Sequence, residues 1–326
     1  MNDATSGLHH VTAIAGDPAE NVRFYTDVLG LRLVKRTVNF DDPSTYHLYY
    51  GDEVGSPGTI LTFFPFVDGR SGRVGRGQTS ATAFAVPEGS LAYWRERLAE
   101  RGVDVDDPVD RFGERVLPFR DGDGQPLELV AGRTGGTIEP WADGPVPTEH
   151  AVRGFHGVTL DSLDPAATAG VLETLGYEPV AEAGDRSRYR ATAGPVGSDG
   201  GVAAVVDVLD RPDAPRGEEG IGTVHHVAVR AADADQQERW RERLREAGHR
   251  VTPRKDRRYF ESVYLREPGG ILFEIATDGP GFDRDESVPE LGSSLKLPPW
   301  LEDDRERIEN RLPTIGSADA TEGEPT

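Results

Sequence analysis

Two doubled histidines stand in matching frames: GLHHVT at residues 7–12 holds His9 and His10, and TVHHVA at residues 223–228 holds His225 and His226. A carboxylate completes the set, Glu274 in the otherwise apolar run PGGILFEIA. Two imidazoles and one carboxylate on short strands make a divalent-metal site that leaves coordination positions open. Non-haem Fe(II) oxygenases use this donor set. The chain therefore reads as an enzyme whose chemistry sits at a metal.

The elements that must position these residues repeat four times. Each repeat opens with a short strand, continues into a helix and stops at a glycine. In the first, Asp17 is the N-cap, Pro18 takes the first helical position, and Glu20 is placed to close a capping box. Val22, Tyr25, Val28 and Leu29 give that helix its apolar stripe, and Gly30 ends it. The later helices carry Leu91, Trp94 and Leu98 before Gly102, Val171, Leu172 and Leu175 between Asp164-Pro165 and Gly176, and Trp240, Leu244 and Ala247 before Gly248. The terminal glycines are 72, 74 and 72 residues apart. Strand-like runs such as TYHLYYG, LELVAG and ILFEIA follow each one. Each unit is β-α-β-β-β, and the units span about 8–66, 79–132, 154–209 and 222–277. The expected class is α+β: four βαβββ modules forming two domains with open, cup-shaped mixed β-barrels. The domains are expected at 1–150 and 151–300, with linkers at 66–78 and near 133–152, and residues 301–326 form an acidic tail expected to fray from 302 onward.

A strand sends successive side chains to opposite faces, so only one histidine of each pair can face a barrel interior. Aligning the frames on the valine that follows places His10, Gly157 and His226 in one column and His9, His156 and His225 in the other. The second module has the small residues of SATAFAV in the first column. Only the first and fourth modules keep histidine there, and the fourth also supplies Glu274, where an unpaired carboxylate in an apolar strand would be costly. Counting from PGT and PGG aligns Glu274 with Phe63, and Glu128 is its counterpart in the second module, without a matching histidine. A hairpin turn at Gly269 sets Tyr264 opposite Glu274, so its phenol points at the metal and can donate a hydrogen bond or a proton. Thr12 shares the face of His10 and either lines the pocket or packs. His47, His150 and His249 read as ordinary solvated or hydrogen-bonded residues.

Bulk composition excludes several alternatives. With no cysteine, thiolate metal sites, iron–sulfur clusters and thiol nucleophiles are ruled out. The net charge of −21 argues against nucleic acid or an anionic membrane as partner. Three Lys, at 35, 255 and 296, leave 33 Arg among the 36 basic residues, and this lysine-poor acidic balance suggests a halophilic, GC-rich source. No apolar run approaches membrane-spanning length, and no leader is visible at the N-terminus, so a cytoplasmic protein is expected.

Four βαβββ modules with candidate ligands on first and last strands resemble the vicinal-oxygen-chelate superfamily, the fold group of glyoxalases, bleomycin-resistance proteins and extradiol dioxygenases. LHHVTAIAGDPAENVRFYTDVLGLRLVKRTV, YHLYYGDEVGSPGTILTFFPF and YFESVYLREPGGILFEIATDGPGF resemble its hydroquinone 1,2-dioxygenase-type ring-cleaving branch, over nearly the whole chain to about residue 300. The resemblance implies Fe(II), or alternatively Mn(II), on His10, His226 and Glu274. It implies an extradiol-type dioxygenase that inserts both atoms of O2 into an aromatic diol, a hydroquinone, with a homodimer or tetramer as the assembly. Arg257, preceding the hairpin beside Arg258, would orient an anionic oxygen, and His9 and His225 would tune ligands and substrate. Other extradiol enzymes take ligands from the third and fourth modules, which would require His156 from the opposite column. Two rivals remain: a glyoxalase-type isomerase, which needs a second carboxylate where Phe63 was aligned, and a non-catalytic small-molecule-binding protein, which in this fold lacks the triad.

Overall fold

The computed structural model describes residues 4–132, 138–193 and 203–315. All four repeats take the expected β-α-β-β-β form. The first holds β1 (Leu8–Ala15), α1 (Pro18–Arg23), β2 (Arg32–Asn39), β3 (Asp42–Gly51) and β4 (Ile60–Pro65). The second holds β5 (Gln78–Pro87), α2 (Leu91–Glu100), β6 (Val109–Arg111), β7 (Glu114–Arg120) and β8 (Pro126–Gly132). The third holds β9 (Phe155–Asp161), α3 (Pro165–Thr174), β10 (Tyr177–Ala183), β11 (Arg186–Ala191) and β12 (Val205–Leu209). The fourth holds β13 (Thr223–Ala231), α4 (Ala234–Glu246), β14 (Lys255–Asp256), β15 (Phe260–Arg266) and β16 (Leu272–Pro280).

Gly30, Gly102, Gly176 and Gly248 all have positive φ, between 69° and 93°. A left-handed residue there turns the chain off each helix, and glycine carries no Cβ penalty for it. Asp17 caps α1 by accepting from the Ala19 and Glu20 amides. Glu20 does not close the expected box: its carboxylate pairs with Arg23 one turn on. After Arg23 the first helix loosens into a π-turn over Phe24–Val28.

Two eight-stranded sheets result, ordered β14-β15-β16-β13-β1-β4-β3-β2 and β10-β11-β12-β9-β5-β8-β7-β6. The first joins module one to module four, and the second joins module two to module three. The expected halves 1–150 and 151–300 therefore do not map onto the sheets; each half gives one module to each. The reason is edge pairing: β1 pairs antiparallel with β13, and β5 with β9, so first strands meet across the halves. Both candidate histidine strands consequently lie side by side at the centre of one sheet.

One face of each sheet is apolar. Leu61, Phe63, Leu129, Val206, Phe273 and Ile275 join a continuous core with Trp94, Leu98, Val171, Leu172, Trp240 and Leu244 of the helices. Each such side chain contributes about 1.5–3 kcal/mol on burial. The alternating residues, Thr62, Glu128, Asp207 and Glu274, face the cups. The C-terminal segment does not fray from 302: α5 (Arg305–Glu309) buries Ile308 against Val38 and Leu297. Residues 316–326 of the expected tail lie outside the described residues.

Candidate metal centre and its pocket

Strand register builds the site. His10 lies opposite Ala228, and Thr12 opposite His226, across the β1–β13 pair. Ala228 neighbours Glu274 across β13–β16, and Tyr264 pairs with Glu274 across β15–β16. Three donor atoms converge from these positions: Nε2 of His10 and of His226 are 3.3 Å apart. Glu274 Oε2 is 3.3 Å from the first and 2.9 Å from the second. All three residues are buried, Glu274 to 1% exposure.

The set fits one divalent cation. Donors at adjacent corners of an octahedral ion, each about 2.1 Å from it, lie about 3.0 Å apart. Glu274 Oε2 is fully buried and has no hydrogen-bond donor of ordinary geometry, as expected of an atom that serves an ion. Among the described residues this is the one cluster of three His, Asp or Glu close enough to share a metal. Burial lowers the His226 pKa to about 4, against the opposing pull of Glu274, so the ring is neutral near pH 7. Burial works to raise the Glu274 carboxyl, yet the adjacent imidazoles, His10 first, hold it well below the usual range.

The second members of the histidine pairs stand behind the first. His9 Nδ1 is 2.9 Å from His10 Nδ1, and His225 Nδ1 is 2.7 Å from His226 Nδ1. If the inner rings bind through Nε2, their Nδ1–H groups donate outward and fix the outer rings as Nε2–H tautomers. His225 lines the main cavity, whereas His9 faces a separate cavity of about 300 Å³ behind the site. Ser262 donates to Glu274 Oε1 and orients the carboxylate.

The main cavity measures about 330 Å³. Phe64 and Phe260 supply aromatic walls, and His10, His226 and Glu274 lie among its lining. Tyr264 reaches it with its ring centroid 5.9 Å from that of His226. Burial and then Glu274 raise the Tyr264 pKa, so the phenol keeps its proton. Arg257 donates Nε–H to the Tyr264 hydroxyl at 3.0 Å, and its other end meets Asp41 Oδ2 at 3.0 Å. Arg258 instead turns to Asp285, at 3.7 Å. Thr12 is fully buried and bonds Thr62 at 3.0 Å, packing beneath the site and not lining it.

Register corrects one alignment. Thr12 neighbours Thr62 as Ala228 neighbours Glu274, so Thr62 occupies the place of Glu274 in module one. Phe63 points to the opposite, core face, because the PGG turn leads into its strand one residue differently from PGT. His47, read as an ordinary solvated or hydrogen-bonded residue, is hydrogen-bonded to Thr62 at 2.7 Å and Tyr49 at 2.8 Å and also lies in the cavity wall. Alternation with Tyr49 and register with the Thr62 column could have placed it. Ser262 could have been found as the residue two before Tyr264, on the same face.

The second cup shows what the same positions do without histidine. Gly157 stands where His10 does and Ala81 where His226 does. A Cβ on Gly157 would meet the Val205 carbonyl oxygen at 2.1 Å, so no side chain fits there without moving backbone. Glu128 stands where Glu274 does, but Arg111 clamps it with bonds of 2.7 and 2.9 Å. His156 is bound to Glu114 at 2.9 Å and faces no ligand set.

Comparison with known proteins agrees with this architecture. The family model of the Glyoxalase/Bleomycin resistance protein/Dioxygenase superfamily matches residues 7–129 and 172–275. MhqE of Bacillus subtilis (strain 168), provisionally named a ring-cleaving dioxygenase, is 49% identical over 312 residues, or 95% of this chain and 99% of its own. The chlorohydroquinone/hydroquinone 1,2-dioxygenase of Sphingobium indicum is 38% identical over 93% of this chain and 94% of its own. The crystal structure of a Bacillus subtilis protein provisionally named a dioxygenase matches with a TM-score of 0.90 at 46% identity, covering 96% of this chain and 98% of that one.

Proposed function

The chain belongs to the Glyoxalase/Bleomycin resistance protein/Dioxygenase superfamily, and from that premise we propose that it is an iron(II)-dependent ring-cleaving dioxygenase of the extradiol type, acting on a hydroquinone. The observation that carries this reading is the convergence of His10, His226 and Glu274 within 3.3 Å in an aromatic-walled cavity. Relatives named for ring cleavage and for hydroquinone support the substrate class. His10, His226 and Glu274 would hold the ion, which when bound supplies the electron transfer that lets ground-state dioxygen react with a closed-shell ring. Manganese(II) suits the same donors.

The chain's own residues do the rest. A 330 Å³ cavity has the size for one small aromatic molecule and little accompanying water. Phe64 and Phe260 offer the ring aromatic surface within that cavity. Tyr264, protonated and supported by Arg257, offers a hydrogen bond and a proton to an oxygen that gains charge as the ring opens. His225, with its outward N–H, faces the same cavity. An isomerase of the glyoxalase type would need a further carboxylate on the fourth strand of module one, and that position carries Thr62.

Anaerobic loading with iron(II), followed by oxygen-electrode assays on hydroquinone and catechol panels, tests the proposal. Oxygen uptake with a ring-opened product from hydroquinones is expected. Uptake with neither panel, together with isomerisation of a hemithioacetal, would replace it with the isomerase reading.

A further inference from the structure

The two cups provide an internal comparison for Arg257. In module two, Arg111 pairs with Glu114 at the β6–β7 turn, just as Arg257 closes the turn from β14 into β15. The residue that follows has positive φ in both cups, 51° at Phe112 and 72° at Arg258. Such a conformation is uncommon outside glycine, and its recurrence marks Arg111 and Arg257 as structural counterparts. Their carboxylate neighbours are counterparts as well: Glu128 pairs with Pro118, and Glu274 with Tyr264. Yet Arg111 lies on Glu128, whereas Arg257 lies on Tyr264 and Asp41.

Two features distinguish the surroundings of these arginines: Pro118 stands where Tyr264 does, and one hairpin differs in length. In module one, β3 begins at Asp42, five residues (42–46) before His47. In module three, β11 begins at Arg186, which holds the register of His47. The longer β2–β3 hairpin carries Asn39, Phe40 and Asp41 to the cavity wall, whereas among the described residues Arg111 makes its hydrogen bonds to Glu128 and to no carboxylate of the shorter β10–β11 hairpin. A guanidinium without an outer partner settles on the inner carboxylate, as Arg111 does.

We propose that Asp41 is a positioning residue that holds Arg257 away from Glu274, leaving that carboxylate free for a metal and the guanidinium poised on Tyr264. This rests on the reading of His10, His226 and Glu274 as the metal centre. Asp41 is 65% exposed on a turn, so its replacement leaves the core intact.

The test compares manganese(II) affinity, read by electron paramagnetic resonance of the free ion, for the wild type, Asp41→Ala, Arg257→Ala and the double variant. Asp41→Ala should weaken binding ~10–100-fold, the usual scale when groups around a ligand are disturbed. Arg257→Ala added to it should restore binding to the level of Arg257→Ala alone, a rescue that a merely structural role for Asp41 would not produce. A crystal structure of metal-free Asp41→Ala should show Arg257 paired with Glu274. Unchanged affinity in Asp41→Ala, absence of rescue in the double variant, or Arg257 still resting on Tyr264 in that structure would overturn the proposal. Failure of the wild type to bind manganese(II) would instead count against the metal centre, and the metal-free crystal structure still decides the position of Arg257.

Discussion

Glu128→Ala separates the two cups most cleanly. The change removes the carboxylate clamped by Arg111 and leaves a guanidinium only 18% exposed without its bidentate partner. Breaking a buried pair in this way costs ~3–5 kcal/mol. Partial exposure of Arg111, and Asp207 close enough to act on its charge, reduce the expected loss to about 2–3 kcal/mol. A loss of that size lowers the melting temperature by roughly 3–5 °C for a chain of 326 residues, whose unfolding entropy is large. Urea unfolding of the metal-free protein measures it directly. Replacing both partners by apolar residues, Arg111→Met with Glu128→Leu, should recover most of the loss, because neither charge is then buried alone. Bound metal per chain and oxygen uptake should match the wild type throughout, since Glu128 faces the cup that carries Gly157 and Ala81 in place of the two ligand histidines. Wild-type stability in Glu128→Ala combined with lost metal or turnover would refute the division of labour between the cups.

Two further outcomes follow from the site and its counterpart. Ser262→Ala removes the donor to Glu274 Oε1 and should weaken metal binding ~10-fold in chelator competition, with the melting temperature of the metal-free protein nearly unchanged; equal affinity would show that the hydroxyl does not orient the carboxylate. The Glu114 pKa is lowered to about 2: burial acts to raise it, and the bonds from His156 and Arg188 prevail. A carboxyl depressed in the folded state stabilises fully above its unfolded pKa of 4.5 and loses that contribution as pH falls toward 2. Glu114→Gln should therefore cost ~1–3 kcal/mol at pH 7, with the gap to wild type narrowing below pH 4.5 in urea titrations. A gap independent of pH would contradict the assignment.

The sequence carried its information unevenly. Strand alternation and the shared HHV frame are local rules, so they could separate His10 and His226 from His9 and His225, and the structure brings the first pair together with Glu274. Opposition across a tight hairpin is local too, and Tyr264 does pair with Glu274. Where reasoning depended on counting through a turn it slipped by one, placing Phe63 where Thr62 stands. Which modules share a sheet was not legible, because strand edges carry no label for their partner; the halves at 150 cross between sheets. The place of His47 in the cavity wall and that of Asp41 beside Arg257 were not legible for the same reason. Their significance comes from groups that are distant in the chain, Thr62 and Arg257, and from a hairpin whose excess length is visible only beside its counterpart. The acidic C-terminal stretch looked like tail because Ile308 is a single apolar residue among charges, and its partners Val38 and Leu297 lie in other segments.

The central claim is that residues 10, 226 and 274 hold one catalytic metal. Iron content per chain after anaerobic purification, compared among wild type, His10→Ala and His156→Ala, tests it most directly. Close to one iron per chain is predicted for the wild type and for His156→Ala, and essentially none for His10→Ala. Iron retained in His10→Ala but lost in His156→Ala would contradict the assignment and move the centre to the other cup.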